Sequence, residues 1–184
     1  MNGMVAVALL AAAAPAPQMN PIERLNAELL AGRTATEVLE ARCAELGLAD
    51  PPRVHAEVQR GRQVATAAAR VRLAVGADEM LGYRRVRLMC GAHVLSEAVN
   101  WYVASRLTPE MNAQLERGDT PFGRVILPLL PSRRTLSARV LWDGKGTPPA
   151  TILRHRALVI DGQGRPLAEV IENYRAALVV GAAE

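Results

Sequence analysis

Apolar and polar side chains alternate with a period of two through much of the second half of this chain, and that pattern restricts its fold more than any other feature. "YRRVRLMC" and "VLSEAVNWYVAS" are parted only by "GAH", which predicts an antiparallel hairpin over residues 83–105. "ILRHRALVI" and "RPLAEVIENY", joined by the turn "DGQG", predict a second hairpin over 152–174. Between them "RTLSARVLW" reads as another strand, with Leu136, Ala138, Val140 and Trp142 on one face. Upstream, Val54–Gln59 reads as a strand. The residues from there to position 75 fit either a further strand past Gly61 or an alanine-rich helix.

Helix signals gather before and between the strands. Asn20 is placed to cap, Pro21 suits a first helical position, Ile22, Leu25 and Leu29 share a face, and Gly32 closes that helix. Thr34 and Glu37 have the spacing of a capping box, followed by Ala35, Leu39, Cys43 and Leu46 at helical intervals up to Gly47. Thr108-Pro109 and Thr120-Pro121 each mark a further start, and Gly118 ends the first of these helices. Helices early and hairpins late define an α+β domain, an antiparallel β-sheet with helices packed on it.

A hydrophobic content of 50% over 184 residues suffices for one core, assigned to residues 20–180. Aromatic residues make up only 3%, so aliphatic side chains fill the interior and platforms for stacking bases are poorly supplied. The net charge of +4 comes without any block of like charges, which argues against nucleic acid and suits a small anionic partner. His55, His93 and His155 are scattered and the two cysteines lack metal-site spacing, so no metal or cofactor is expected. Cys43 and Cys90 read as buried free thiols, with a disulfide as the alternative. Residues 1–19 carry an apolar run, Met4–Ala14, that resembles a secretory signal and is too short to span a bilayer. No Lys or Arg precedes it, so an unordered Ala/Pro tail or a misplaced start fits equally well.

Counting along the last strand separates two faces. Leu167, Glu169, Ile171, Asn173 and Arg175 form one; Ala168, Val170, Glu172, Tyr174, Ala176 and Leu178 form the other. Glu172 therefore belongs to the more apolar face. A carboxylate withdrawn from water costs several kcal/mol unless it is paired, which fits an acid role or a tight hydrogen bond to a ligand. A salt bridge to a core-facing arginine, or a bulge turning Glu172 outward, would explain the position without a ligand. Arginines for a carboxylate are at hand in "RHR" (Arg154 and Arg156) and "YRRVR" (Arg84, Arg85 and Arg87). No nucleophile elbow, phosphate loop or paired-carboxylate site is present in the sequence, so the residues themselves point to a small cofactor-free pocket for an anion.

The order "RRVRLMC", a Thr-Pro helix, "TPFGR", a basic strand and "GRPLAEVIENY" resembles the chorismate lyase (chorismate pyruvate-lyase) family, from about Asn20 to about Val180. The resemblance implies a single α+β domain with flaps over a buried site, and a monomer without metal or cofactor. The implied reaction removes pyruvate from chorismate to leave 4-hydroxybenzoate. It implies that Arg85 holds the ring carboxylate, that Glu172 acts near the hydroxyl and handles the proton as the enolpyruvyl oxygen leaves, and that Phe122 contacts the product ring, with Ala35 at a further substrate-binding position. Arg156 would take the pyruvyl carboxylate. Parity, however, sets Arg85 with Tyr83, Arg87 and Met89, while Val86, Leu88 and Cys90 form the cleaner apolar face.

"VGADEMLGYRRVRL" is also similar to the ligand-binding (UTRA) domain of GntR-type regulators, which has the same fold. This resemblance implies a non-catalytic module for a small aromatic carboxylate, and the helices ahead of that stretch do not read as a winged helix. The partner implied in either case is a small anionic aromatic or enolpyruvyl acid, with no nucleic acid and no membrane span. Chorismate as substrate would imply the cytoplasm, and a cleaved signal in residues 1–17 the periplasm.

Overall fold

A computed structural model describes residues 19–180. The signal-like run lies outside the described residues. Helix α1 (Pro21–Leu30) starts where Asn20 accepts a hydrogen bond from Ile22 N, and it buries Ile22, Leu25 and Leu29. Full burial of each such side chain contributes about 1.5–3 kcal/mol. The expected box opens α2 (Ala35–Glu45): Thr34 Oγ1 accepts from Glu37 N, and Thr34 N donates to Glu37 Oε2.

Strand β1 (Val54–Gln59) has the expected bounds, and α3 (Ala67–Arg72), capped by Thr66, resolves the ambiguous stretch after it as a helix. Strands β2 (Leu81–Cys90) and β3 (His93–Val103) form the first hairpin. Next come α4 (Pro109–Arg117), capped by Thr108 and ended by Gly118 in the left-handed conformation at φ 98°, and the short α5 (Phe122–Val125). Thr120 makes no cap there; Pro121 stands at the N-terminal boundary instead. Strand β4 (Ser132–Val140) precedes the second hairpin, β5 (Leu153–Ile160) and β6 (Pro166–Tyr174), and α6 (Ala177–Val180) follows.

The six strands run in the order β1-β2-β3-β6-β5-β4, antiparallel throughout, so the two hairpins join through β3 and β6 at the middle of the sheet. One face carries most of the helices. There α1, α2 and α6 cover a cluster that includes Val86, Leu88, Leu95, Ala98, Leu153 and Tyr174. A second cluster on that face joins α4 and α5 to Tyr102, Ala157, Val159, Ala168 and Val170. The opposite face holds a smaller cluster around Leu73, Trp101, Val103 and Leu158.

Two expectations are corrected. Leu136 and Trp142 do not share a face, because a register shift between Thr135 and Ser137 breaks the alternation: Leu136 packs on the Trp101 cluster and Trp142 on the α1–α2 cluster. Ala138 and Val140 are exposed. The two cysteines are not free thiols: α2 lies across the end of β2, and Cys43 and Cys90, both fully buried with Cα atoms 6.1 Å apart, form a disulfide.

Candidate functional site

Strand β6 places Glu172 opposite Ala98 of β3 and His155 of β5, on the helix-covered face as parity requires. Its carboxylate is buried and meets Arg133, which reaches over from β4. Arg133 Nη2 lies 2.6 Å from Glu172 Oε2, and the Tyr174 hydroxyl donates to the same oxygen at 2.9 Å. Neither contact uses Oε1. Behind the pair, Arg133 Nη2 sits 3.4 Å from His155 Nδ1, and His155 Nε2 sits 2.8 Å from Asn26 Oδ1. An arginine can only donate, so Nδ1 accepts and Nε2 carries the proton given to Asn26.

Burial, and after it the Arg133 charge, pushes the His155 imidazole down to about 4, which keeps the ring neutral at pH 7. Burial works against the charge of Arg133, but the Glu172 carboxylate and the Tyr174 hydroxyl outweigh it and hold the guanidinium above its ordinary value. Burial, and then the neighbouring Glu172 charge, raises the Tyr174 phenol well above its usual range. Asn26, His155, Arg133, Glu172 and Tyr174 thus form one continuous polar chain.

This chain ends at a cavity between the two clusters of the helix-covered face. Its empty space is about 510 Å³, open solvent at the mouth included. Val86, Leu88 and Ala98 form one side, and Phe122, Val159 and Val170 the other. Glu172, Arg133 and Asn100 line it, together with Thr34, Thr36 and Ser132. At the mouth, α5 packs against the N-terminal turn of α2. A Cβ on Gly123 would lie 2.8 Å from Thr36 Oγ1, so any larger residue would push the Thr34 and Thr36 side chains aside. An ion pair between Arg124 of α5 and Glu40 of α2 ties the two rims. Arg84 is buried and fastens the chain leading into α5 through the carbonyls of Gly118 and Thr120.

Of the residues expected at the site, the structure brings together Glu172, Phe122 and Ala35. It does not bring Arg85 or Arg156 there. Arg85 is exposed on the opposite sheet face, beside Gln63, Tyr83 and Glu97, where its parity put it. Arg156, also on that face, lies 3.5 Å from Glu169. The arginine that meets Glu172 is Arg133, which sequence reasoning did not single out; only the general option of a core-facing arginine foreshadowed it. Asn100 and Tyr174 were also passed over, although both alternate in phase with apolar neighbours.

Among the described residues no three His, Cys, Asp or Glu side chains cluster as a metal site, and no helix is long and apolar enough to cross a membrane. No family model matches the sequence. The fold defines the class: a chorismate lyase-like α+β sheet domain, a fold shared with the effector domain of PhnF. The chain superimposes on PhnF from Mycobacterium smegmatis with TM-score 0.54 at 12% identity, covering 82% of this chain and 69% of that one. For the effector domain of PhnF alone the TM-score is 0.53 at 12% identity, covering 79% and 89%. It spans 61% of the possible transcriptional regulator YydK from Bacillus subtilis, at TM-score 0.46, 15% identity and 71% of this chain. In sequence it is 38% identical over 172 residues to the uncharacterized protein y4mC of Sinorhizobium fredii (strain NBRC 101917 / NGR234), covering 83% of this chain and 73% of that protein. The chain belongs to the y4mC family.

Proposed function

We propose that this domain binds a small carboxylic acid with an apolar or aromatic body and acts as an effector-type module, without turning its ligand over. The observation that carries this reading is the Arg133–Glu172 pair set into the wall of an otherwise apolar cavity. A buried ion pair is a poor way to gain stability, because desolvation offsets most of the attraction. Its placement beside a cavity is better explained by recognition. Arg133 Nη2 is engaged, but its Nε is buried without a partner among the described residues, a donor that a carboxylate drawn into the cavity would satisfy. The shared fold with the effector domain of PhnF supports the same reading.

Thermal denaturation of the purified protein with benzoate and its relatives tests it. Specific binding raises Tm in proportion to the logarithm of ligand concentration above Kd. No shift at millimolar acid removes the proposal.

A second reading, elimination of pyruvate from chorismate, is favoured by the gathering of Glu172, Phe122 and Ala35 at one cavity. It is the weaker of the two. Glu172 Oε2 already accepts from Arg133 and Tyr174, an arrangement suited to a carboxylate that holds position, and acid work would require the pair to open. Incubation with chorismate, followed by assay of 4-hydroxybenzoate and pyruvate against the spontaneous background, separates the two: turnover above background replaces the binding module with a lyase.

A further inference from the structure

Four buried side-chain atoms lack any hydrogen-bond partner among the described residues: Arg84 Nε, Ser96 Oγ, Asn100 Oδ1 and Arg133 Nε. Asn100 and Arg133 line the same cavity. Asn100 stands on β3 opposite Val170, with Ala98, two residues back on the same face, opposite Glu172. Asn100 and Glu172 are therefore diagonal neighbours across the two strands, about 7–8 Å apart, a distance a small ligand can bridge. An amide oxygen without a partner, on a residue only 4% exposed, is unfavourable in the empty protein, because its desolvation is uncompensated. Val or Leu would fill the position at less cost.

We infer that Asn100 determines specificity by hydrogen-bonding a hydroxyl on the ligand, so that the cavity selects hydroxylated carboxylic acids over their unsubstituted counterparts. This rests on the carboxylate-binding reading of the site. A hydroxyl fits whichever way the amide is turned, since it donates to Oδ1 and accepts from Nδ2. Apolar walls hold the body of such a ligand, Arg133 takes the acid and Asn100 takes the hydroxyl. Sites that hydrogen-bond a ligand hydroxyl reject the analogue lacking it far more strongly than apolar pockets sort by size, because the protein group is then left unpaired.

The test compares wild type with Asn100→Leu, measuring Tm without ligand and calorimetric Kd for benzoate and for 2-, 3- and 4-hydroxybenzoate. Wild type binds at least one hydroxybenzoate about tenfold or more tightly than benzoate, and N100L brings the two within about twofold while still binding benzoate. Without ligand, N100L melts about 2–4 °C higher than wild type, because an orphan polar group has been removed. A lower Tm for N100L shows that Asn100 serves the fold and overturns the inference. So does equal binding of benzoate and all three hydroxybenzoates by wild type, which leaves carboxylate binding standing. If none of the four acids binds wild type, the carboxylate-binding reading itself fails and takes this inference with it.

Discussion

Two buried glutamates lie three residues apart on β6 and face opposite sides of the sheet, and they serve different ends. Glu169, with 1% of its side chain exposed, receives Nε and Nη2 of Arg72 at 2.7 and 2.8 Å, with Arg156 alongside. Arg72 and Arg156 keep 28% and 44% of their side chains in solvent, so this carboxylate reaches water through its partners. It fastens α3 to the back of the sheet. Glu172 has no such outlet: its partner Arg133 is 2% exposed, and beyond the pair lies a cavity with unpaired polar atoms in its wall. Burial of a carboxylate therefore does not by itself mark a site. What separates the two is whether the polar groups around it are already satisfied.

The comparison predicts its largest difference at the arginines. Arg133→Met strands Glu172 in an apolar wall and lowers unfolding free energy by about 3–5 kcal/mol, read from urea titration. Adding Glu172→Leu to that variant recovers most of the loss, because both charges are then gone. A single variant as stable as wild type would mean that water reaches Glu172, and the contrast with Glu169 would collapse.

The disulfide belongs to the same side of the molecule. It ties α2, which carries Thr36 and Glu40 at the mouth, to β2, which carries Val86 and Leu88 of the wall. Closing a loop of 47 residues contributes about 4 kcal/mol in the chain-entropy treatment. Reduction, or the double variant Cys43→Ala/Cys90→Ala, should lower stability by an amount of that order and weaken ligand binding with it. Loss of stability with unchanged affinity would separate the clamp from the cavity.

Acid should also distinguish the faces. His155 is held neutral in the folded protein, near 4 against an ordinary value of 6.5, so the unfolded chain binds its proton first. Stability is then fully present above about pH 6.5, declines as pH falls and is lost by about pH 4, at most about 3 kcal/mol. His155→Gln should flatten that slope in denaturation series from pH 7 to pH 4. The Glu169 side, which has no histidine in contact with its ion pairs, should contribute none of it.

Much of this architecture was legible in the sequence because local signals agreed with one another. Asn20, Thr34, Thr108 and Gly118 mark helix ends by their own hydrogen bonds or backbone conformation, and the hairpins announce themselves by alternation. Residues 60–75 were ambiguous because alanine and arginine satisfy either period. The face of Leu136 was misread because a bulge adds a residue that no period-two count foresees. At the site, parity found Glu172 and also grouped Arg85 with Tyr83 and Arg87, away from the cavity. Arg133 escaped notice because it stands beside Arg134 near the start of a strand, and only the strand order places it within reach of Glu172. The disulfide depends on the packing of α2 across β2, a contact between residues 47 apart that neither helix nor strand periodicity encodes.

The smallest effect is expected at Arg72, and it gives the sharpest control. Arg72→Met removes both bonds to Glu169, yet Arg156 stays 3.5 Å away and can move in, and the carboxylate borders solvent-reaching side chains. The loss should be about 1–2 kcal/mol, below that at Arg133, with ligand affinity unchanged. It should also be local: α3 loses its tie to β6, so amide exchange over residues 67–73 should speed up while that of β5 and β6 stays slow. A loss equal to that of Arg133→Met would mean that the two carboxylates are buried alike. In that case the pairing of Glu172 would carry no information about a ligand, and the case for the cavity would rest on the unpaired atoms of Arg133 and Asn100 alone.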